Sequence, residues 1–356
     1  MATSPSSLPF FRWLLRANHT SQRGFTLIEL LVAMIIGSLI MGSLLFLVVE
    51  LMQANRREEV LTQTQQDMQR AINYITSDVR EAVFVYPNPA AIVEPTVGTT
   101  VGTDTLLDEL GITVNAAGVV TAPAALAGST PIMAFWRLDP VPADSNLWNR
   151  VCSTAFTGNQ INECNTLKLR QSFYTLVLYF QRPNQPNELW GGPSRILRYS
   201  LPKYGTADIA TLTQRRGYSD PTVCNSFATW SAPPGRIAAQ PCDAGNVGAP
   251  AADIAVLTDY VSLDVISPAP ACGTGGTTTP ATNARGFAAC VNSGAAGDLG
   301  EGAGVNQTMR IFLQGNATQG RPGLVNTFNE AGRLPVLEAE VLIRGVLNKQ
   351  PGIVPQ

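Results

Sequence analysis

The residue types that most often do chemistry in proteins are scarce in this 356-residue chain. Its single histidine, His19, lies in the first two dozen residues, so the remainder lacks the commonest general base and the commonest neutral metal ligand. No serine is linked by a motif to a base, and the glycine-rich segment from Cys272 to Thr278 lacks the Lys-Ser/Thr pair of a phosphate-binding loop. We therefore expect no enzymatic activity and no cofactor.

Six cysteines are the second group with informative spacing. They form three consecutive pairs, separated by 12, 18 and 18 positions: Cys152 and Cys164, Cys224 and Cys242, and Cys272 and Cys290. Other pairings are open, but this local grouping within turn-rich segments favours a disulfide inside each pair. Each bridge would stabilise the fold by roughly 3 kcal/mol in the chain-entropy model.

The same residues argue against a metal site. The cysteines lack the Cys-x-x-Cys spacing of zinc ligands, and no histidine lies near them. Two acidic segments, Asp104 to Glu109 and Asp298 with Glu301, lack the alternating Asp/Asn pattern of a calcium loop. We expect both segments to be solvated turns and the protein to hold no metal.

One carboxylate stands where a charge is costly. Glu29 lies in an apolar run, residues 25–49, where a charge near the bilayer centre would cost on the order of 2–3 kcal/mol. No basic residue follows within a helical turn or two, but cleavage between Gly24 and Phe25 would create an α-amine only four residues away. We infer that the cation partner of Glu29 is this new N-terminus, on the same subunit or on a neighbour.

The apolar run itself is long enough to span a bilayer and too long for the core of an ordinary signal peptide. Arg12, Arg16 and Arg23 precede it, with no acidic residue before Glu29. The positive-inside rule then keeps the N-terminus in the cytoplasm and exports everything after Val49. We expect a single-pass inner-membrane protein with a periplasmic C-terminal domain.

The segment RGFTLIELLVAMI, Arg23 to Ile35, closely resembles the type IV prepilin signature. The resemblance implies cleavage after Gly24 by a prepilin peptidase and methylation of the Phe25 amine. It also implies that Glu29 helps to fit each subunit into a helical filament with other pilins or pseudopilins, built on an inner-membrane assembly platform. A plain signal anchor with a chance glutamate is the alternative.

The remainder of the chain predicts an α+β fold, in which a long N-terminal helix packs on an antiparallel sheet with disulfide-bridged loops. No proline interrupts the helical pattern between Phe25 and Pro87, and an apolar stripe follows its exported half: Leu61, Met68, Ile72, Ile75, Val79, Ala82 and Tyr86. We therefore divide the chain into a leader (1–24), a transmembrane half-helix (25–49), an exported half-helix (50–86) and a β-rich domain (87–356).

Six β-prone runs are predicted strands of that domain: Ile132–Leu138, Phe173–Gln181, Ile196–Leu201, Ile254–Ile266, Met309–Leu313 and Val336–Val346. The Gly-, Pro- and Asn-rich segments between them are predicted exposed loops: Arg182–Ser194, Ser231–Ala252 and Pro268–Gly304. Residues 90–130 show no clean period, which leaves a long loop and a small subdomain both open.

The formal charge of −2 gives no reason to expect nucleic-acid binding. After cleavage the chain would be long for a major pilin, which favours a minor pilin or pseudopilin. The stretch from Asn55 to Tyr86 resembles J-type pseudopilins and W-type minor pilins. With MAFWRLDP (133–140) and MRIFLQGNA (309–317), it resembles cyanobacterial pseudopilins of hormogonium polysaccharide secretion most.

These resemblances imply a filament subunit that supports polysaccharide secretion or motility. The alternative is a monomeric, membrane-anchored exported binding protein, for example for glycans. Such a protein would use exposed tryptophans as stacking surfaces, and the candidates are Trp136, Trp148, Trp190 and Trp230.

Overall fold

The computed structural model describes residues 24–91, 104–143, 146–222, 227–230, 248–273, 276–292, 307–317 and 332–343. The chain divides into two compact units, Met1–Asn55 and Arg56–Gln356. The α+β class is confirmed, with a long N-terminal apolar helix, antiparallel sheets and disulfides.

Helix α1 runs from Leu27 to Arg80. It ends six residues before the predicted end at Tyr86, because Ala82–Val85 forms strand β1 instead and pairs with a strand of the main sheet. Val83, Phe84 and Val85 have strong β propensity, and they pair with a neighbouring strand although no proline ends the helix before them. Ala82 and Tyr86, expected on the helical stripe, are buried as part of this extended segment.

The main sheet has five strands in the order β1-β4-β5-β6-β7, all antiparallel. Its remaining members are β4 (Thr130–Pro140), β5 (Ser172–Pro183), β6 (Ser194–Pro202) and β7 (Asp253–Val261). Three of the predicted strands are confirmed with longer bounds, whereas the fourth ends at Val261 rather than Ile266. Leu176, Val177, Leu178, Tyr179 and Phe180 of β5 are all buried, since both faces of this central strand are covered.

A second antiparallel sheet has the order β11-β10-β9-β8. Its strands are β8 (Gly276–Thr279), β9 (Phe287–Asn292), β10 (Thr308–Leu313) and β11 (Leu337–Leu342). The prediction of an exposed loop across Pro268–Gly304 is therefore wrong where β8 and β9 lie. The segment FAACVN of β9 is paired on both sides, by β8 and by β10, and it is almost fully buried because its two faces pack in two hydrophobic clusters.

Shorter elements complete the described chain. Residues 104–129 form a small subdomain with helix α2 (Leu106–Glu109) and a hairpin of β2 (Thr113–Val114) and β3 (Val120–Ala122). Helices α3 (Cys152–Ala155) and α4 (Asn159–Arg170) lie between β4 and β5. The predicted Ser231–Ala252 loop falls mostly outside the described residues, and so does the end of the sixth predicted strand.

The later turns of α1 pack on both sheets. Four residues of the predicted stripe, Met68, Ile72, Ile75 and Val79, are buried, and Leu61 is half-buried against the same core. This core includes Phe135 and Val177 of the main sheet and Met309 and Ile311 of the second sheet. Complete burial stabilises each such side chain by about 1.5–3 kcal/mol. The stripe therefore holds the helix to its own domain.

Candidate functional site

The candidate processing site lies just before α1. Gly24, Phe25 and Thr26 precede the first helical residue, and Phe25 is 78% exposed. The helix begins with an N-cap at Thr26, whose side-chain oxygen accepts a hydrogen bond from the Glu29 backbone N–H at 3.4 Å. A side chain added at Gly24 would meet no described atom within 4 Å, so packing does not require glycine there.

Glu29 lies in the first turn of α1, where the partial positive charge of the helix N-terminus favours a carboxylate. Its backbone N–H also donates to the Thr26 carbonyl oxygen at 3.1 Å. The side chain is exposed. An amine of the same subunit or of a neighbouring molecule can therefore reach the carboxylate.

The apolar part of α1 is exposed on every side. Leu27, Leu39, Phe46 and Met52 are more than half exposed, as are many of their neighbours. The Ser38 and Ser43 hydroxyls donate to the carbonyl oxygens of Ile35 and Ile40, at 2.8 Å in both cases, so they need no polar neighbour. By length and composition, this is the one helix in the described part of the chain that could cross a membrane.

Residues 19–45 match the family described as the prokaryotic N-terminal methylation motif. The chain carries a type IV prepilin signature. The match includes Gly24, Phe25 and Glu29, and it supports a type IV pilin-like or pseudopilin-like, membrane-anchored protein. The methylation motif also implies processing by a prepilin peptidase and assembly with other pilins. Comparisons with curated proteins and with solved structures gave no match.

A buried carboxylate fixes the end of α1 to the main sheet. The Asp78 side chain is 2% exposed and accepts hydrogen bonds from Arg198 Nε at 2.8 Å and from the Tyr179 hydroxyl at 2.5 Å. Arg137 Nη1 also contacts it. Burial alone would raise the pKa of Asp78, but the bonds and charges of Arg198, Tyr179 and Arg137 outweigh burial and lower it.

Sequence reasoning missed this cluster, although a signal for it exists. Asp78 directly precedes Val79 of the predicted stripe, on the face that the stripe assigns to the core. Arg137 and Arg198 likewise interrupt predicted strands. Buried charges are normally paired, so an acid on the helix and bases on strands would have predicted one another.

The four tryptophans proposed to stack on glycans differ in their exposure to solvent. Trp136 and Trp230 are fully buried, 5.6 Å apart between ring centroids, and cannot stack on a ligand. Trp148 is half-buried, and its Nε1 donates to the Pro142 carbonyl oxygen at 2.9 Å. Trp190 is 39% exposed and stacks on the Arg195 guanidinium at 5.4 Å. The binding-protein alternative thus loses Trp136 and Trp230.

Two disulfides are present in the described residues. Cys152 and Cys164 bond with a Cα–Cα distance of 5.7 Å and join α3 to α4. Cys272 and Cys290 bond at 5.3 Å and tie the segment before β8 to β9. Cys224 and Cys242 lie outside the described residues. The second bond lies in the segment Pro268–Gly304 that the sequence predicted as a loop, and the first joins two helices that the sequence did not predict.

No cluster of three or more His, Cys, Asp or Glu side chains that could hold a metal ion is found in the described ranges. In the first acidic segment, Asp108 has a structural role: its carboxylate accepts from the Thr105 N–H at 2.9 Å and from the Thr105 hydroxyl at 2.7 Å. These bonds cap α2. Asp298 and Glu301 lie outside the described residues.

Proposed function

We propose that the protein is a minor pilin or pseudopilin, a structural subunit of a type IV pilus-like or type II secretion-like filament. One observation carries the proposal. The methylation motif opens a helix that is exposed and apolar over its first half and packed on two sheets over its last turns. In such a helix the first half would pack against other filament subunits, and the last turns pack on the domain of the same chain.

Assembly follows from the chemistry of the first half. Before assembly, lipid surrounds the apolar residues and the leader 1–24 stays in the cytoplasm. Cleavage after Gly24 and methylation of Phe25 leave a positively charged amine next to Glu29. A filament then replaces lipid around residues 25–49 by neighbouring helices, and pairing of Glu29 with an amine removes the cost of a lone carboxylate.

Size and composition favour a minor subunit over a major one. The exported domain contains two sheets, a subdomain and several long connections. A domain of this size is large for a subunit that repeats along a filament shaft. We place it at the tip or side of a short filament that supports polysaccharide secretion or motility, as the J-type, W-type and hormogonium resemblances suggest. The filament would act mechanically, with no enzymatic step.

Site-specific photo-crosslinking in cells tests the proposal. A photoreactive residue at Leu51, exposed on the first half of α1, is expected to capture other proteins with the methylation motif. The matched control is Asn73, which is exposed on the half of the same helix that packs on the domain. Capture from position 51 that is lost with Glu29→Ala supports a filament subunit. If position 51 yields only monomer while the protein is functional, the membrane-anchored binding protein is the better account.

A further inference from the structure

A buried lysine lies between two carboxylates in the exported domain, away from α1. Lys203, the first residue after β6, has a side chain that is 4% exposed. Its Nζ lies 2.7 Å from Asp220 Oδ2 and 2.7 Å from Glu163 Oε1. Glu163 lies on α4, next to Cys164 of the first disulfide, so that bond helps to hold it in place.

The charges of this cluster do not balance. One ammonium faces two carboxylates, which leaves a net negative charge in a largely buried site. Burying a carboxylate costs desolvation free energy, and the Asp220 and Glu163 side chains are only 12% and 27% exposed. The second carboxylate is held against the lysine by a further donor, because Glu163 Oε1 also accepts the Tyr204 hydroxyl at 2.9 Å.

The other oxygen of Asp220 is held by two donors. Its Oδ1 accepts the Thr222 backbone N–H at 2.9 Å and the Thr222 hydroxyl at 2.6 Å. Donors in this position stabilise negative charge on Oδ1 if the carboxyl carbon is attacked, as in an oxyanion hole. The four groups together therefore comprise an amine, an attacked carbon, oxyanion donors and a neighbouring base.

We propose that Lys203 and Asp220 condense to an intramolecular amide, with Glu163 carrying the protons. Lys203 Nζ bonds to Asp220 Cγ, and the bond from Cγ to Oδ2 breaks. Oδ2 leaves as water with two of the three ammonium protons, which Glu163 takes from Nζ and passes on. The ammonium and carboxylate charges cancel, Glu163 is regenerated, and no oxidant or further reactant is needed.

The reaction begins from the ion pair. Burial alone would lower the pKa of Lys203, but the charges of Asp220 and Glu163 outweigh it and raise the pKa. The pKa of Asp220 is lowered, since Lys203 and Thr222 outweigh the effect of burial. The amine must therefore lose a proton to react, which is the reason that a base within 2.7 Å of Nζ matters.

Two physical effects favour the amide despite that barrier. Reacting groups held in contact within one chain behave as if present at on the order of 10⁵–10⁸ M. Condensation also removes two charges from a site that solvates them poorly. The product would be a covalent crosslink between Lys203 and Asp220, which would form whether or not the protein assembles into filaments.

Intact-mass analysis of the membrane-extracted, reduced full chain tests the proposal. The chain is expected to be lighter by one water molecule than its processed sequence requires. Trypsin cannot cleave after an amidated lysine, so digestion should give residues 199–215 joined to residues 217–236. A chain with no loss of water, or a free peptide ending at Lys203, would overturn the proposal.

Three variants assign the roles. Lys203→Arg keeps a cation but should abolish the loss of water. Lys168→Arg is the matched control and should retain it, because Lys168 donates to the carbonyl oxygens of Trp148 and Arg150. Glu163→Gln keeps its size but cannot accept a proton, so unreacted chain should accumulate. Amide formation at the wild-type level in Glu163→Gln would contradict the proton-carrier role.

Discussion

The two halves of α1 belong to one continuous helix but have opposite surroundings. Residues from Leu27 to Met52 are apolar and exposed on all sides, whereas Met68, Ile75 and Val79 are buried against two sheets. The first half contains two exposed carboxylates, Glu29 within the apolar run and Glu50 at its end, whereas Asp78 in the second half is buried and accepts hydrogen bonds from Arg198, Tyr179 and Arg137. The difference indicates that the domain supplies no apolar surroundings to the first half, which in our proposal come from lipid and then from other subunits, whereas the second half is packed on the domain.

Gly24→Arg should have the largest effect on the first half. The structure leaves room for a side chain at position 24, so the fold should be unchanged. A bulky cation before the scissile bond should nevertheless stop cleavage almost completely, because only a small residue is expected to fit the peptidase there. Intact-mass analysis of the membrane fraction measures it, and normal processing of this variant would contradict the cleavage assignment.

Glu29→Ala should separate processing from assembly. Cleavage should proceed normally, since the N-cap bond at Thr26 uses the backbone of residue 29 and survives the change. Recovery of the protein in sheared filaments should fall at least about tenfold, which corresponds to roughly 1.4 kcal/mol per subunit contact. Wild-type recovery would remove the pairing role from Glu29.

Asp78→Ala should break the second half. Removing one partner of a buried ion pair leaves Arg137 and Arg198 without their shared carboxylate, and such losses cost about 3–5 kcal/mol. Denaturant unfolding of the full chain measures this free energy. Asp67→Ala is the matched control, because Asp67 pairs with the exposed Arg70 one turn away and should cost well under about 1 kcal/mol. Equal losses in the two variants would show that Asp78 does not hold the end of α1 to the main sheet.

Acid should weaken the second half through the same carboxylate. The folded-state pKa of Asp78 is lowered, so its contribution to stability is complete above the unfolded-state pKa of about 3.9. That contribution is lost as the pH falls below this value through the folded-state pKa. Unfolding measured between about pH 5 and pH 2 should show a smaller pH dependence for Asp78→Ala than for wild type. Identical pH dependence would exclude Asp78 as the linked group.

The last variant concerns a region outside α1. Cys164→Ser opens the bridge to Cys152 and should reduce the free energy of unfolding by about 2–4 kcal/mol or less. Because α4 also loses its anchor, Glu163 should move from Lys203, and the loss of water proposed above should slow. If neither the free energy of unfolding nor the extent of water loss changed, the bridge would position nothing.

The parts of the molecule that sequence reasoning predicted are those in which a residue conflicts with its neighbours. Glu29 is conspicuous in an apolar run, and the stripe from Met68 to Val79 is conspicuous on a polar helix. Asp78 lies on the core face of that stripe, but its partners Arg137 and Arg198 can be identified only once their strands are placed against the helix.

Other misses have a similar origin. The end of α1 depends on pairing of β1 with β4, a contact between residues about fifty positions apart that no local pattern contains. Strand β9 is short and alanine-rich, and it is stabilised by neighbours on both sides rather than by its own propensity. Helix α4 is largely polar and is fastened by the Cys152–Cys164 bond, so its apolar period is weak.

Quantitative mass spectrometry of sheared surface filaments tests the filament account most directly. The account predicts that the chain is present in these filaments, begins at N-methylated Phe25, and occurs in far fewer copies than the major subunit. Absence from the filaments, retention of residues 1–24, or abundance equal to that of the major subunit would contradict it.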